Sequence, residues 1–361
     1  NGKNSKIENA KSSLNKIQIF VCSEIFESEL RSSFLNSGEH LPSYIISSSI
    51  SILRLHWLCF GAVMMKELLR KPFGRWGRFA AVRYFTDGRT DTSMLRLAGV
   101  KDVIAVASGK GGVGKSTTAV NLAVALADKC HLKVGLLDAD VYGPSIPMMM
   151  KIDRKPDITQ DKKMIPIESY GVKCMSMGIL VDKDAALVWR GLMVINALKK
   201  MIWGVDWGNL DILVVDMPPG TGDTQITITQ QLQLSGAVIV STPQDAALID
   251  ARRGITMFTK VEVPILGLVE NMSYFRCPNC SNPYYIFGRE GTRKLSDSLG
   301  YSLLAEIPIE VDVRKGSDDG LPIVVSAPDS DASKAYCHLA EIVVKKLQLT
   351  NRFAFLPDIN L

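Results

Sequence analysis

From about Gly99 onward, apolar residues gather into short unbroken runs, each closed by a polar or turn residue. Residues 102–107, 133–137, 212–215, 237–240, 265–269 and 303–307 are runs of this kind. Apolar stretches of that length without alternation read as strands buried on both faces. Between them lie stretches with helical spacing, at about 115–129, 191–203, 245–260 and 330–347. The last carries Ala335, Leu339, Ile342, Val343 and Leu347 on one stripe, which suits a final packing helix. Strands alternating with helices predict an α/β fold, a mostly parallel sheet flanked by helices on both faces. On such sheets ligands sit beyond the carboxyl ends of the strands.

Upstream the pattern is lost. Residues 1–43 are rich in Ser, Asn, Lys and Glu and hold no sustained period. Residues 44–65 are more apolar, but Arg54 and His56 interrupt them, and a central Arg opposes membrane insertion by roughly 3 kcal/mol. Residues 1–63, beginning at Asn1, therefore read as a non-native or disordered extension. From Met64 or Met65, Lys66, Arg70, Lys71, Arg75, Arg78 and Arg83 alternate with aliphatic and aromatic residues, with Glu67 the only acid before Asp87. That composition over 64–95 is that of a mitochondrial transit peptide, the alternative being a solvated basic linker or surface helix. These boundaries leave 99–350 for the ordered domain, with a cysteine-bearing insertion at 271–290 and a tail at 351–361.

Composition narrows the possibilities. With 47% hydrophobic residues among 361, the chain can bury a sizeable core. The net charge of +5 is unevenly placed: residues 1–100 hold 14 Lys/Arg against 8 Asp/Glu, and the remainder 28 against 29. The ordered part thus carries no electrostatic signature of nucleic-acid binding. Seven cysteines are scattered, and only Cys277 and Cys280 lie close together, unlike a secreted disulfide framework. The four histidines, at 40, 56, 131 and 338, stand apart from every motif, so a His-based metal site or a Ser-His-Asp triad is not expected.

The strongest chemical signal is Gly109-Lys110-Gly111-Gly112-Val113-Gly114-Lys115-Ser116-Thr117, which fits G-x-x-x-x-G-K-[ST] between a strand and a helix. Glycines let backbone N–H groups converge on phosphate oxygens, and the helix that follows offers its positive end. Lys115 is expected to neutralise the β- and γ-phosphates of ATP, Ser116 to take a place on Mg²⁺, and Thr117 to hold the α-phosphate. Asp216 closes a strand and reads as the Walker B acid that holds Mg²⁺ through water. Asp138 and Asp140 follow the second strand; Asp138 is assigned near the Mg²⁺ shell, and Asp140 is the candidate that positions the attacking water. Gly220-Thr221-Gly222-Asp223 then supplies a flexible loop able to sense the γ-phosphate.

A general P-loop needs no lysine directly after its first glycine. Lys110 makes this loop resemble the deviant, two-lysine version of the dimeric ATPases that include nitrogenase iron protein, MinD and ParA. The resemblance implies a homodimer in which Lys110 reaches the partner's nucleotide and acts as a catalytic cation. It also assigns Asn271, directly after the strand at 265–269, to the nucleotide base.

Cys277-Pro278-Asn279-Cys280 offers two thiolates to one metal centre, whereas a tetrahedral or cubane site needs four ligands. With no second C-x-x-C and no nearby His, one subunit supplies half a site, and a two-fold dimer would supply the other half. Three readings stay open: a [4Fe–4S] cluster bridging two subunits, a structural Zn²⁺ on the same thiolates, and a dithiol pair or inert turn. Spacing does not separate iron from zinc. Cys130, Cys174 and Cys337 stand alone and read as apolar fillers.

Taken together, 109–117, 137–145, 216–223, 241–244 and 271–280 resemble the Mrp/NBP branch of P-loop ATPases over roughly 250 residues. Within that branch, the segment at 64–95 and Trp189-Arg190-Gly191-Leu192-Met193 are similar to the mitochondrial member. The resemblance implies a weak ATPase of the mitochondrial matrix that carries a [4Fe–4S] cluster on Cys277 and Cys280 to iron–sulfur apoproteins, complex I subunits among them. It implies neither nucleic-acid binding nor stable membrane insertion. A MinD-like membrane-positioning ATPase, anchored by 330–347, and a zinc-stabilised nucleotide switch are the alternatives.

Overall fold

The structure is a computed structural model that describes residues 96–180 and 191–353. The expected extension at 1–63, the transit segment at 64–95, the end of the tail, and Trp189 and Arg190 lie outside the described residues.

Seven parallel strands form the body of one sheet. In chain order they begin with β1 (Val100–Ala107) and β2 (Val134–Asp138). After β3 (Ile167–Ser169) come β4 (Val172–Ser176), β5 (Leu210–Asp216), β6 (Gly236–Ser241) and β7 (Ile265–Arg276). The short β8 (Pro283–Tyr284) and then β9 (Leu303–Ile309) complete the set. Their spatial order is β3-β4-β2-β5-β1-β6-β7, with β8 and β9 both pairing β7. Only β3 against β4 and β8 against β7 run antiparallel.

Alternate residues of each strand enter two separate cores. Ile104, Val106, Leu136, Val214 and Val238 pack on one face with α1 (Lys115–Asp128) and the last helix, α10 (Asp331–Phe353). Val103, Ala105, Leu137, Leu213 and Ile239 pack on the other with α4 (Gly191–Trp203) and α6 (Asp245–Lys260). Between these helices lie α2 (Ile146–Met149), α3 (Met177–Leu180) and α5 (Asp223–Gln231). Toward the C-terminus come α7 (Gly291–Leu299), α8 (Val311–Asp319) and α9 (Ile323–Ser326). The apolar stripe of α10, with Tyr336, Leu339, Val343 and Leu347, is spent on the core. Among the described residues, no helix is long and apolar enough to cross a membrane.

Two expectations need correction. Asn271 does not follow its strand but lies inside it, because β7 continues to Arg276. A register shift between Asn271 and Phe275, with Met272 at φ 56°, lets the strand absorb polar residues and resume pairing at Phe275 with Ile309. The supposed loop at 220–223 is shorter than expected, since Asp223 already opens α5, where its charge faces the helix's positive end.

Candidate functional site

The strand ends place the chemistry. The loop of 109–114 joins β1 to α1, while Asp138 and Asp216 are the last residues of β2 and β5. Strand register sets those two carboxylates side by side, Asp216 one strand over from the loop and Asp138 two, since β1 pairs Val106 with Asp216.

The loop fits only with glycine at its two ends. At Gly109 a Cβ would lie 2.1 Å from the carbonyl carbon of Asp250 on α6. At Gly114, with φ +83°, a Cβ would lie 2.0 Å from Asn271 Nδ2. That amide donates to the Val113 carbonyl at 2.8 Å. Asn271 is buried and braces the loop from β7. Gly111 and Gly112 are exposed, as is proper to a surface that receives a ligand. The first turn of α1 has neither an acidic residue nor a side-chain cap, so its N–H groups face the loop uncommitted. Thr117 and Ser116 are both half-buried in this first turn.

Lys115 is buried, and its Nζ donates to Asp216 Oδ1 at 2.6 Å and to Ser116 Oγ at 3.1 Å. Burial pushes the Asp216 carboxyl upward, and the Lys115 ammonium opposes that. Asp138 has no cation at bonding distance: burial first, then the charge of Asp216, push its carboxyl up to about 7. Its oxygens accept from Ser176 Oγ at 2.9 Å, from Ile146 N at 3.3 Å and from Asp140 N at 3.2 Å. One cation thus stands beside two buried carboxylates, and of the two it bonds directly to Asp216 alone.

Asp216 Oδ2 is buried and makes no hydrogen bond. A buried anionic oxygen without a partner is costly unless a cation or its hydration shell supplies one. Together with the Ser116 hydroxyl, this donor set fits Mg²⁺. Asp140 is half-buried in the turn after β2, where its Oδ1 accepts from Gly143 N at 3.3 Å. Lys110 is partly exposed at the loop's outer edge and makes no ion pair among the described residues. Two supports escaped the sequence reading. Ser176, at the end of β4, holds Asp138; Ser108 Oγ donates to the Lys110 carbonyl at 2.9 Å and fixes the loop's entry. A serine at a strand end carries no signal until its neighbour in the sheet is known.

The two cysteines occupy the turn of a hairpin. Phe275 and Arg276 of β7 pair with Tyr284 and Pro283 of β8. Cys277 N donates to Asn282 O at 3.0 Å and Ser281 N to Cys277 O at 2.8 Å. The backbone N–H groups of Cys280 and Asn279, then the Cys280 thiol, hold the Cys277 thiol below its ordinary range. This is the arrangement that stabilises a thiolate for metal ligation. Cys277 is half-buried and Cys280 exposed. Among the described residues, no group of three or more His, Cys, Asp or Glu could hold a metal, so this chain presents the thiols as a pair. Of the remaining cysteines in the described residues, Cys174 is fully buried, whereas Cys130 and Cys337 are only partly so, at the edge of the core beside α10.

Asn271 lies inside β7, and Cys277 directly follows the end of that strand, six residues further along the chain. The return segment is also anchored near the phosphate end. At Gly291 a Cβ would lie 2.3 Å from the Pro243 carbonyl oxygen, in the turn that follows β6.

A parallel sheet with this loop, a buried lysine and a strand-end aspartate defines a P-loop NTPase. Residues 99–344 match the family model described as the NUBPL iron-transfer P-loop NTPases of the ParA group. The chain belongs to that family. It is 70% identical over 257 residues to the Arabidopsis thaliana iron–sulfur protein required for NADH dehydrogenase, mitochondrial, covering 71% of this chain and 82% of that one. It is 57% identical over 253 residues to the iron–sulfur cluster transfer protein NUBPL of Mus musculus, covering 70% and 79%. Among solved structures, a nucleotide-binding protein from Archaeoglobus fulgidus in complex with ADP superposes with a TM-score of 0.56 at 40% identity, covering 62% of this chain and 88% of that one.

Proposed function

We propose that this protein is an ATP-dependent iron–sulfur cluster carrier acting as a homodimer. Each protomer contributes Cys277 and Cys280, and the pair of protomers holds one [4Fe–4S] cluster as cargo. The cluster passes to iron–sulfur apoproteins of the mitochondrial matrix, subunits of complex I among them. The names of the plant and mouse relatives support the cargo and its destination.

The observation that carries this reading is β7, which braces the phosphate loop through Asn271 and bears the thiol hairpin at its end. A shift of the loop on nucleotide binding therefore displaces the thiols through a single strand. In this scheme 109–117 cradle the phosphates and Lys115 exchanges Asp216 for the phosphate charge. Ser116 and Asp216 would hold Mg²⁺, which would supply electrostatic stabilisation of the phosphates. Asp138 stands near the Mg²⁺ shell, Asp140 orients water, and Lys110 serves the partner's nucleotide during slow ATP hydrolysis. Asn271 is assigned to the reading of the base, beside the loop that it braces. The apolar stripe of α10, which a MinD-like anchor would need, is already buried.

Anaerobic reconstitution tests the proposal. Iron and labile sulfide are expected at about four each per dimer, and Cys277→Ser should abolish both while nucleotide binding persists. Stoichiometric zinc without sulfide in the native protein would establish the zinc-stabilised switch instead.

A further inference from the structure

Residues 277–288, the thiol-bearing hairpin and the residues after it, contain no charged side chain. Residues 278–286 are all exposed, among them Tyr284 at 53% and Ile286 at 60%. Charges at the rim are answered locally. Arg276 pairs with Asp331 at 2.9 Å, and Arg289 lies 3.7 Å from Glu290 with its guanidinium 4.9 Å over the Tyr285 ring. Tyr285 is further fixed by Tyr274, their ring centroids 6.5 Å apart. The turn is thereby stiffened from behind, leaving Tyr284 and Ile286 facing solvent.

Exposed aromatic and aliphatic side chains in a charge-free zone mark a contact surface. We infer that Tyr284 and Ile286 form the apolar collar through which a second copy of this chain packs around the shared thiolates. Charge decides for a copy over an acceptor protein. Near a two-fold axis each residue meets its own duplicate, so an ionised side chain that no metal neutralises would oppose itself there. A patch that captured a different protein electrostatically would instead carry one sign of charge. The collar rests on the reading of Cys277 and Cys280 as half of a shared site. It adds that the dimer is held by apolar contact as well as by metal.

The test uses the full chain, reconstituted anaerobically with iron and sulfide in the presence of an ATP analogue. Sedimentation equilibrium of Tyr284→Asp/Ile286→Asp should show dimer dissociation strengthened at least about tenfold, the loss of one or two apolar anchors. Affinity for a fluorescent ADP analogue should stay at the wild-type value, which reports an intact fold, and Tyr284→Phe should dimerise normally. Undiminished dimerisation of the double variant overturns the collar. If it dimerises normally but transfers its cluster poorly to an apo-ferredoxin, the surface belongs to the acceptor and the inference is equally overturned. Failure of the unsubstituted protein to dimerise or take up iron overturns the carrier proposal itself, and that result is read before any variant is made.

Discussion

At the scale of single residues, the unusual chemistry is the sharing of one ammonium by two buried carboxylates. Asp138 and Asp216 are register partners on adjacent strands, and Lys115 bonds only the second. A carboxyl raised from 3.8 to about 7 binds its proton more tightly folded than unfolded. Its contribution to stability is therefore full below pH 4 and is lost as pH rises toward 7. Asp138→Asn should remove that dependence: the melting temperature of the variant, relative to wild type, is expected to rise between pH 4 and pH 8. Scanning fluorimetry at both pH values checks it, and a constant difference would exclude the proton from Asp138. Asp138, Asp140 and Asp216 were each legible in the sequence as acids after strands. Their mutual position was not, because it follows from strand register between segments far apart in the chain. For the same reason Ser176 was invisible.

Among elements, what could be read depended on how uniformly a segment is buried. β1, β2, β5 and β6 each have an unbroken apolar centre, and their ends fall within about two residues of the expected ones, the ordinary uncertainty of element limits. β7 was legible only as far as Val269, because Glu270, Asn271 and Ser273 are polar. They are nonetheless buried, each in a hydrogen bond: Glu270 accepts from Thr292 N, Asn271 donates to Val113 O, and Ser273 donates to Ile307 O. Hydropathy does not register polar groups satisfied by distant partners. β3, β4 and the β7–β8 hairpin escaped for another reason: they are short and mix polar with apolar residues. α10 shows the opposite case, an amphipathic stripe whose burial was foreseen. Leu339 is fully buried on it, so Leu339→Ala should cost about 2–5 kcal/mol of unfolding free energy. Urea denaturation followed by circular dichroism measures this, and a cost below about 1 kcal/mol would mean that α10 is only loosely docked.

For the molecule as a whole, the proposed homodimer assigns Lys110, at the outer edge of the loop, to the partner's nucleotide. Lys115 and Ser116 remain to bind phosphate when Lys110 is removed. Lys110→Ala should therefore keep nucleotide affinity near wild type while ATP turnover falls about a thousandfold, as for loss of a cation supplied in trans. Mixing this variant with one inactivated at Lys115 should restore part of the turnover, a complementation visible only if protomers exchange lysines. Steady-state phosphate release reads both results. The position of α10 has a consequence of a different kind. Tyr336, Leu339, Ala340 and Val343 close the face of the sheet on which the phosphate-loop helix lies, and they come from a helix far downstream of it. A polypeptide leaves the ribosome N-terminus first, so this face stays open until α10 has emerged. Until then its exposed valines and leucines are natural clients for a chaperone.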